Sequence, residues 1–412
     1  MNLFSPLNEQ ARQDLEQLLP LIDKLFPIPG RFRTRLPQDV AELSRQLTSE
    51  RPRRDAGYLG QKPLLSAYLR YFLPWNIFRL ARLMPALPLQ FTEGDAITDL
   101  GSGPLTLPIA LWVCRPDLRD MELEFRCLDR TGAILDAGKT ILQALPSQWK
   151  VRIIRGSLGE RIEGKPARLV TAVNLFNELF WDDHNGPRLV AERYAPVLSA
   201  LADSKRGSLL VVEPGIPRSG EFISHLRAQL MTLSWLPLAP CTHAGACPLP
   251  GGKRGAKWCH FAFETDEAPE ALHRLSRAAG IPKERATVSF LLAGGGEGVV
   301  DRTIGDRVTG LSLRVLSDPF PVGADPVAGF FAGQGRGHGP KTTPSRTGSI
   351  GHELGRYACS EMGLLLLKGS AHKIQSLAAG SLLELQRDLL TAQASQDREI
   401  DPKSKAPVIN LK

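Results

Sequence analysis

The chain has 412 residues, of which 42% are apolar and 23% charged, and its formal net charge at pH 7 is +8. These values are ordinary for a globular protein and exclude a chain that is disordered throughout. No apolar run reaches the roughly eighteen residues of a membrane span, so we expect no membrane association, and the positive charge favours a polyanionic partner such as nucleic acid.

The first 90 residues are predicted to form a helical region. Apolar residues recur at helical spacing over 7–26, and a second helix opens near Pro37. A third predicted helix, 63–84, is rich in Leu, Tyr and Phe, and we expect it to be largely buried. Between these helices lie arginines that suit phosphate contacts or a solvated loop, namely Arg31, Arg33, Arg35, Arg51, Arg53 and Arg54. The start of the chain has no secretory or transit leader, so we expect a cytoplasmic, monomeric protein.

Residues 91–298 alternate strand and helix signals, a pattern typical of an α/β domain with a doubly wound parallel sheet. The predicted strands are 95–100, 122–128, 151–155, 168–174, 208–213, 259–264 and 286–293. Ligands of such sheets bind beyond the carboxyl ends of the strands. The residues that follow each predicted strand are therefore the candidates for a binding site.

A glycine turn follows the first predicted strand. The stretch Asp99-Leu-Gly101-Ser102-Gly103 separates the strand from a helix, and its missing Cβ atoms would let the backbone approach a ligand. The second strand ends in Asp129, where a carboxylate can accept hydrogen bonds from two ribose hydroxyls. The third glycine of a dinucleotide fingerprint is absent, which disfavours a nicotinamide cofactor. The pattern resembles the first two motifs of S-adenosylmethionine-dependent methyltransferases, and Ser157 and Asn174, after the next two strands, complete the predicted cofactor site.

Three cysteines, Cys241, Cys247 and Cys259, lie in a short segment rich in proline and glycine, the cysteine loop 241–259. Clustered thiols in irregular backbone predict a metal site, whereas Cys114 and Cys127 lie on apolar stretches typical of core packing. Zinc and iron–sulfur both accept thiolates, and the long gap after Cys241 favours iron–sulfur. A fourth ligand is needed, and Cys359, His243 and His260 are the candidates.

Residues 299–394 are predicted to form a small β-rich region with a final helix. The stretches LSLRVLSDPF and GRYACSEMGLLLLKG are strand-like, and 371–390 has helical spacing. The segment 324–352 is rich in glycine, serine, threonine and basic residues, and we expect a mobile insert there. The tail 395–412 is polar and predicted to be disordered.

Taken together, DLGSGPLTLP, VVEPGIPRSGEF, PCTHAGACPL with KWCHF, RVLSDPFPV and GRYACSEMGLLLLKG resemble the small-ribosomal-subunit methyltransferase-like family of bacteria and mitochondria. The resemblance implies a seven-stranded, Rossmann-like methyltransferase fold, S-adenosyl-L-methionine as cofactor, and the small ribosomal subunit with its rRNA as partner. It also implies a four-iron, four-sulfur cluster held by Cys241, Cys247, Cys259 and Cys359. The insert before Cys359 departs from the family, and the missing transit peptide favours a bacterial source.

The sequence does not assign a catalytic residue. The Asn/Asp-Pro-Pro-Tyr/Phe stretch of amino-group methyltransferases is absent, and Asn174-Leu-Phe-Asn177-Glu178-Leu-Phe180-Trp181 stands after the fourth strand instead. Its polar side chains could bind a cofactor or acceptor, and Phe180 and Trp181 could stack a base or pack in the core. Two hypotheses remain: an rRNA methyltransferase, and a non-catalytic assembly factor that uses the fold and the cluster as an RNA-binding platform. A radical enzyme is disfavoured, since its Cys-x-x-x-Cys-x-x-Cys loop is absent.

Overall fold

The computed structural model describes residues 2–48, 60–181, 186–252, 256–296, 310–322, 353–386 and 399–411. The arginines predicted at 51, 53 and 54 and the insert predicted at 324–352 lie outside these ranges. The described α-helices are α1 (Glu9–Leu25), α2 (Gly30–Arg33), α3 (Leu36–Thr48), α4 (Lys62–Ala67), α5 (Leu73–Leu83), α6 (Thr106–Cys114), α7 (Gly132–Gln143), α8 (Pro187–Leu201), α9 (Pro217–Thr232), α10 (Glu270–Ala278) and α11 (Ala371–Gln375). None of them is both long and apolar enough to cross a membrane.

Helices α1 to α5 form the predicted N-terminal helical region. Helix α1 begins after Asn8, whose side chain accepts a hydrogen bond from the backbone N–H of Ala11 at 2.8 Å. Between α4 and α5 the chain makes a π-helical turn, Tyr68–Phe72. Pro74 follows at once, and the wider turn leaves room for a ring that would clash with the preceding turn of a regular α-helix.

The main sheet contains β1 (Ala96–Leu100), β2 (Glu124–Asp129), β3 (Lys150–Arg155), β4 (Leu169–Val173), β5 (Ser208–Pro214), β6 (Leu236–Ala239), β7 (Phe261–Glu264) and β8 (Arg285–Gly294). The strand order is β3-β2-β1-β4-β5-β8-β6, and β7 pairs with β8. Strands β1 to β5 are parallel, while β8 is antiparallel to β5, β6 and β7. This topology confirms the predicted α/β methyltransferase fold. The prediction that the sheet is parallel throughout is wrong, because β8 runs antiparallel to its three neighbours.

One strand of this sheet was missing from the prediction. Strand β6 has four residues, one of them Pro237, and it shows neither a long apolar run nor β-branched residues. The stretch predicted as a strand at 259–264 forms β7, which pairs with one half of β8, while β6 pairs with the other half. The sheet therefore has eight strands instead of the predicted seven.

A second, smaller sheet lies in the C-terminal region. It contains β9 (Gly310–Val315), β10 (Phe320–Pro321), β11 (Leu354–Ser360), β12 (Gly363–Gly369), β13 (Leu382–Gln386) and β14 (Val408–Asn410). The helix predicted at 371–390 is wrong, because α11 ends at Gln375 and β13 pairs with β9. The predicted disorder of the tail does not hold at 399–411, where β14 pairs in parallel with β12. Val408 and Ile409 supply apolar side chains to this short strand, and Ile409 is buried in the core of the second sheet.

Apolar layers cover both faces of the main sheet. On one face, helices α1, α5, α6 and α7 bury residues such as Leu15, Phe78 and Leu107, and on the other, α8 and α9 bury Phe222 and Leu226. Each layer removes helix and strand side chains from water together, which is the main stabilisation of the fold.

Residues near the start of the chain connect the main sheet with the second one. The backbone N–H of Leu3 donates to the carbonyl of Gly380 at 3.2 Å, and the ring of Phe4 stacks on Phe263 of β7 at 4.8 Å between centroids. Arg82 of α5 donates to the carbonyls of Phe4 and Ser5 at 3.0 and 2.7 Å. Residues 3–5 thus contact Gly380 beside the second sheet, β7 of the main sheet and helix α5.

Gly138 of α7 allows that helix to pack directly on the turn after β1. A Cβ atom at this position would lie 2.2 Å from the carbonyl carbon of Pro104, closer than any real contact. The backbone cannot move away without displacing the entry to α6. In a dinucleotide fingerprint, a third glycine of the turn allows a helix to pack closely beneath it. Here Gly138 of α7 allows the close packing instead.

We predict that Gly138→Ala destabilises the protein by about 1–3 kcal/mol, because the added methyl group overpacks the backbone of the turn. The matched control is Gly30→Ala at the first position of α2, since a Cβ there meets nothing within 4 Å and should change the free energy of unfolding by less than about 0.5 kcal/mol. Denaturant unfolding of both variants measures the difference. Equal stabilities would contradict the close packing of α7 on the turn.

Candidate cofactor site and cysteine cluster

The turn between β1 and α6 has the backbone that its glycines predict. Gly101 and Gly103 have φ angles of 64° and 53°, in the left-handed region that favours glycine. The N–H of Ser102 donates to the carbonyl of Leu128 at 2.9 Å, which ties the turn to the end of β2. The turn therefore lies beside Asp129, as the sequence predicted for adjacent parallel strands.

Asp99 is buried beneath this turn and is only 1% exposed. Its carboxylate accepts hydrogen bonds from the Ser102 hydroxyl and, at 2.7 Å, from the Thr171 hydroxyl of β4. Burial raises the pKa of the Asp99 carboxyl to about 6, against the effect of these hydrogen bonds. Asp99 and Ser102, both predicted at the cofactor site, thus position the turn, and their side chains face the interior.

Asp129 joins the ends of three strands. One carboxylate oxygen accepts from the N–H of Gly103 at 3.0 Å and the other from the N–H of Thr131 at 2.8 Å. Its carbonyl accepts from the N–H of Gly156 at 3.1 Å, which places Ser157 beside it after β3. The structure therefore brings Gly103, Asp129 and Gly156 together at the carboxyl edge of the sheet, and Ser157 follows Gly156 with its N–H donating to the Glu160 carboxylate at 2.7 Å.

The two glycines of the turn differ in their surroundings. A Cβ on Gly101 would lie 2.7 Å from Cδ1 of Leu175, so this glycine is required by packing against the turn after β4. A Cβ on Gly103 would meet only the Tyr68 hydroxyl, at 3.9 Å. Gly103 is thus the glycine whose backbone borders open space, and Tyr68 of the π-helical turn lies across that space.

Arg79 of α5 is the main residue that the sequence analysis missed. Its guanidinium donates to the Asn174 side-chain oxygen at 2.6 Å, to Asn76 Oδ1 at 3.0 Å and to the carbonyl of Thr287 at 3.4 Å. Burial lowers the pKa of Arg79 to about 10, opposed by the charge of Glu213. The available signal was an arginine inside the apolar stretch 63–84, but the sequence does not reveal that its partner is Asn174.

Glu213, at the end of β5, holds the turn after β4. It is fully buried, and its two oxygens accept from the N–H groups of Phe176 at 2.8 Å and Asn177 at 3.1 Å. Burial raises the pKa of the Glu213 carboxyl to about 7. Asn177 also donates from its side chain to the Asn174 carbonyl at 3.2 Å. The polar groups of the turn after β4 are thus engaged in bonds within the protein.

The aromatic residues after this turn have separate environments. Phe180 is fully buried and packs on Phe222 of α9, with ring centroids 5.5 Å apart, so it belongs to the core and does not stack a base. Trp181 is partly exposed, and the guanidinium of Arg218 lies 5.0 Å from its ring centroid. Glu178 is exposed and lies 3.7 Å from Arg130.

The four cysteines predicted as ligands line a single small cavity. Three come from the loop between β6 and β7, and Cys359 comes from β11 of the second sheet. Trp258, next to Cys259, packs over Gly220 of α9, where a Cβ would lie 2.6 Å from the indole ring. Cys114 and Cys127 are buried elsewhere, in α6 and β2. The structure therefore separates the six cysteines into four that line this cavity and two that are buried elsewhere.

Charged and polar groups surround the four thiols. Arg227 and Arg314 are both buried and border the cavity; they donate to the carbonyls of His243 at 2.7 Å and Pro240 at 3.0 Å. Burial raises the pKa of the Cys241 and Cys259 thiols, and that of Cys359 to about 12.

Two histidines were the other candidates for a fourth ligand. The ring nitrogen Nε2 of His243 lies 3.6 Å from the Cys359 sulfur, and burial lowers the pKa of His243. His260 instead stacks on Trp258, with ring centroids 4.7 Å apart. Within the part of the chain that the structure describes, no three His, Cys, Asp or Glu side chains are arranged to hold a metal ion.

More than half of the chain matches a known protein family. The family model described as mitochondrial small ribosomal subunit Rsm22 matches residues 86–305, more than half of the chain. The chain belongs to the Rsm22 family. This confirms the family resemblance predicted from the motifs. The Rsm22 match includes the glycine turn and the three cysteines of the cysteine loop 241–259 but ends before Cys359. A search of curated proteins found no match.

Solved structures similar to this Rsm22-family chain include several methyltransferases. A methyltransferase from Pyrococcus furiosus is 6% identical (TM-score 0.31, 50% of this chain and 78% of that chain). The tRNA methyltransferase TrmK of Bacillus subtilis is 15% identical (TM-score 0.29, 54% and 65%). A methyltransferase from Geobacter sulfurreducens, solved with S-adenosyl-L-homocysteine, is 13% identical (TM-score 0.31, 54% and 91%). The fold assignment itself rests on the strand order of the main sheet.

The buried carboxyl of Glu213 predicts a specific pH dependence of stability. Its pKa is higher in the folded chain than in an exposed glutamate, so the unfolded chain releases the proton first as the pH rises. Stability should therefore fall between about pH 4.5 and pH 7, by on the order of 1.4 kcal/mol for each unit of pKa difference. Comparing the free energy of unfolding of wild type and Glu213→Gln across this range isolates the effect. A difference that does not vary with pH would contradict it.

Proposed function

We propose that the chain binds S-adenosyl-L-methionine at the carboxyl edge of the main sheet and acts on rRNA of the small ribosomal subunit as a methyltransferase. The observation that carries the proposal is that Asp129 bonds to both Gly103 and Gly156, so the ends of three adjacent parallel strands meet there, with Ser157 next in the chain. The family description, which names the mitochondrial small ribosomal subunit, supports the partner.

In this proposal Asp129 binds the ribose of the cofactor. Its carboxylate already accepts the N–H of Gly103, so a ligand that lies along the turn is within reach of both groups. Carboxylate oxygens have capacity for further hydrogen bonds from two adjacent hydroxyls. Gly103 leaves space for the methionine end, and Tyr68 lies over it. Asn174 would contribute through its side-chain NH2 group, since its side-chain oxygen accepts from Arg79 and its backbone N–H donates to the carbonyl of Val212.

One observation favours the alternative, a non-catalytic assembly factor. The turn after β4 is where an acceptor amine is held in related methyltransferase motifs, and here its polar groups bind Arg79 and Glu213. An acceptor would have to displace the Arg79 guanidinium from Asn174. In the alternative, the fold binds cofactor and RNA without methyl transfer.

We also propose that Cys241, Cys247, Cys259 and Cys359 hold a four-iron, four-sulfur cluster. The donor set fits, because four thiols border one cavity, and the buried Arg227 and Arg314 beside it would offset the negative charge of a thiolate-bound cluster. A cluster is wider than a single ion and needs thiols spread around it. Such a group would link the second sheet to the methyltransferase domain. Zinc is the alternative, with His243 as a candidate ligand because of its distance of 3.6 Å from Cys359.

The cofactor assignment predicts that Asp129→Ala weakens binding of S-adenosyl-L-methionine by about 1–3 kcal/mol, since the ribose hydroxyls lose their acceptor. The matched control is Asp136→Ala, which removes an exposed carboxylate of α7 that pairs with Arg155. Isothermal calorimetry on both variants measures the change. Unchanged affinity in Asp129→Ala would overturn the site. Gly101→Val is a poorer test, because Leu175 already fills the space beside Gly101.

Transfer of a tritiated methyl group from S-adenosyl-L-methionine to purified small subunits separates the two functions. Incorporation into rRNA that is lost in Asp129→Ala supports the methyltransferase. Cofactor binding and subunit binding without incorporation would instead support the assembly factor.

The metal assignment predicts that a Cys→Ser change at any one of the four positions lowers both iron content and the melting temperature. A group bound only by the folded chain stabilises the folded state, and losing it also loosens the second sheet. Cys114→Ser and Cys127→Ser are the controls and should retain iron. Anaerobic purification with iron, sulfide and zinc analysis provides the measurement. Finding one zinc per chain and no sulfide would show that the four positions bind zinc instead of a cluster. Full iron content in Cys359→Ser would assign the fourth ligand to His243.

A further inference from the structure

Phe32 has a solvent-exposed aromatic side chain. It lies in the short helix α2, none of whose residues is buried, and its side chain is 46% exposed. The other exposed large apolar side chains in the described ranges are aliphatic, namely Leu189, Leu233, Met362 and Ile400. A single exposed apolar side chain is ordinary on a protein surface, so the significance of Phe32 depends on the charged groups around its ring.

The backbone around Phe32 is well held. The N–H of Phe32 donates to the carbonyl of Pro29 at 2.9 Å, and the N–H of Arg35 donates to the carbonyl of Phe32 at 3.2 Å. The Thr34 hydroxyl bonds to the carbonyl of Arg31 at 3.3 Å. Three local hydrogen bonds thus present the ring on a defined turn instead of a freely moving loop.

Positive charge surrounds the ring. Arg31, Arg33 and Arg35 are exposed, and the Arg31 guanidinium lies 4.9 Å from the centroid of the Phe32 ring. Arg35 pairs with Asp39 at 3.3 Å but keeps 74% of its side chain exposed. An aromatic face with adjacent guanidinium groups is the arrangement that stacks a base and contacts the phosphates beside it.

We propose that Phe32 and its flanking arginines bind single-stranded RNA, with an unpaired base stacked on the ring and the neighbouring phosphates on Arg31 and Arg33. This inference rests on the proposed RNA partner and narrows it to an unpaired segment. A duplex offers its bases only at its ends, so its phosphates would meet the arginines while the ring stays unused.

The test uses the full chain and fluorescence anisotropy with a labelled single-stranded RNA and a duplex of the same length. Stacking of one base is worth about 1–3 kcal/mol, so Phe32→Ala should weaken single-strand binding by about 5- to 150-fold and duplex binding less than twofold. Phe32→Trp should restore single-strand binding. Leu189→Ala, which removes an exposed side chain of α8, is the control and should change neither.

The double variant Arg31→Gln, Arg33→Gln should weaken binding of both RNAs. For the single strand, the slope of log affinity against log salt concentration should become shallower by about 0.7 for each lost phosphate contact. Unchanged single-strand affinity in Phe32→Ala, or an equal loss on single strand and duplex, overturns the proposal.

Calorimetry with S-adenosyl-L-methionine and the methyl-transfer assay on the same preparations test the proposed function separately. Phe32→Ala should leave cofactor affinity unchanged, whereas failure of cofactor binding in wild type would reject the proposed function without rejecting the RNA contact.

Discussion

Three acidic side chains hold together the carboxyl edge of the main sheet. Asp99 joins the turn after β1 to β4, Asp129 joins it to the end of β2, and Glu213 binds the backbone of the turn after β4. A buried carboxyl group is tolerated only when hydrogen bonds replace its water, and each of these receives at least two. The geometry of the candidate cofactor site therefore depends on them, because they fix the backbone that a ligand would contact.

The helical region before the sheet belongs to the site as well. Tyr68 lies over Gly103, and Arg79 reaches Asn174 from α5. The π-helical turn and Pro74 set the direction in which these side chains leave the helix. These N-terminal helices leave less space for a substrate at the carboxyl edge of the sheet. Arg79 therefore bears on the choice between an enzyme and an assembly factor, because it occupies Asn174 there.

Local signals were sufficient for much of the fold. Apolar runs bounded by turns located β1 to β5, and the glycines with Asp129 located the turn that the structure brings together. The predictions for β6 and for the segment 371–390 were wrong for a physical reason. Strand β6 forms by pairing with β8, and β13 forms by pairing with β9, so tertiary contacts override weak local preference. Arg79 could not be inferred, because its partner lies 95 residues away in sequence. The gathering of four cysteines was predicted from family resemblance, since spacing alone left the fourth ligand open.

The bond between Leu3 and Gly380 has a consequence for how the molecule is made. A ribosome that adds about 5–20 residues per second completes Gly380 on the order of 20–75 seconds after Leu3. During that interval the first residues have no final position, and Phe4 cannot gain its full set of neighbours. The sheet can form earlier from the strands that emerge in order. Leu3 is thus synthesised long before its hydrogen-bond partner Gly380, and its final position is fixed only late in the maturation of the chain.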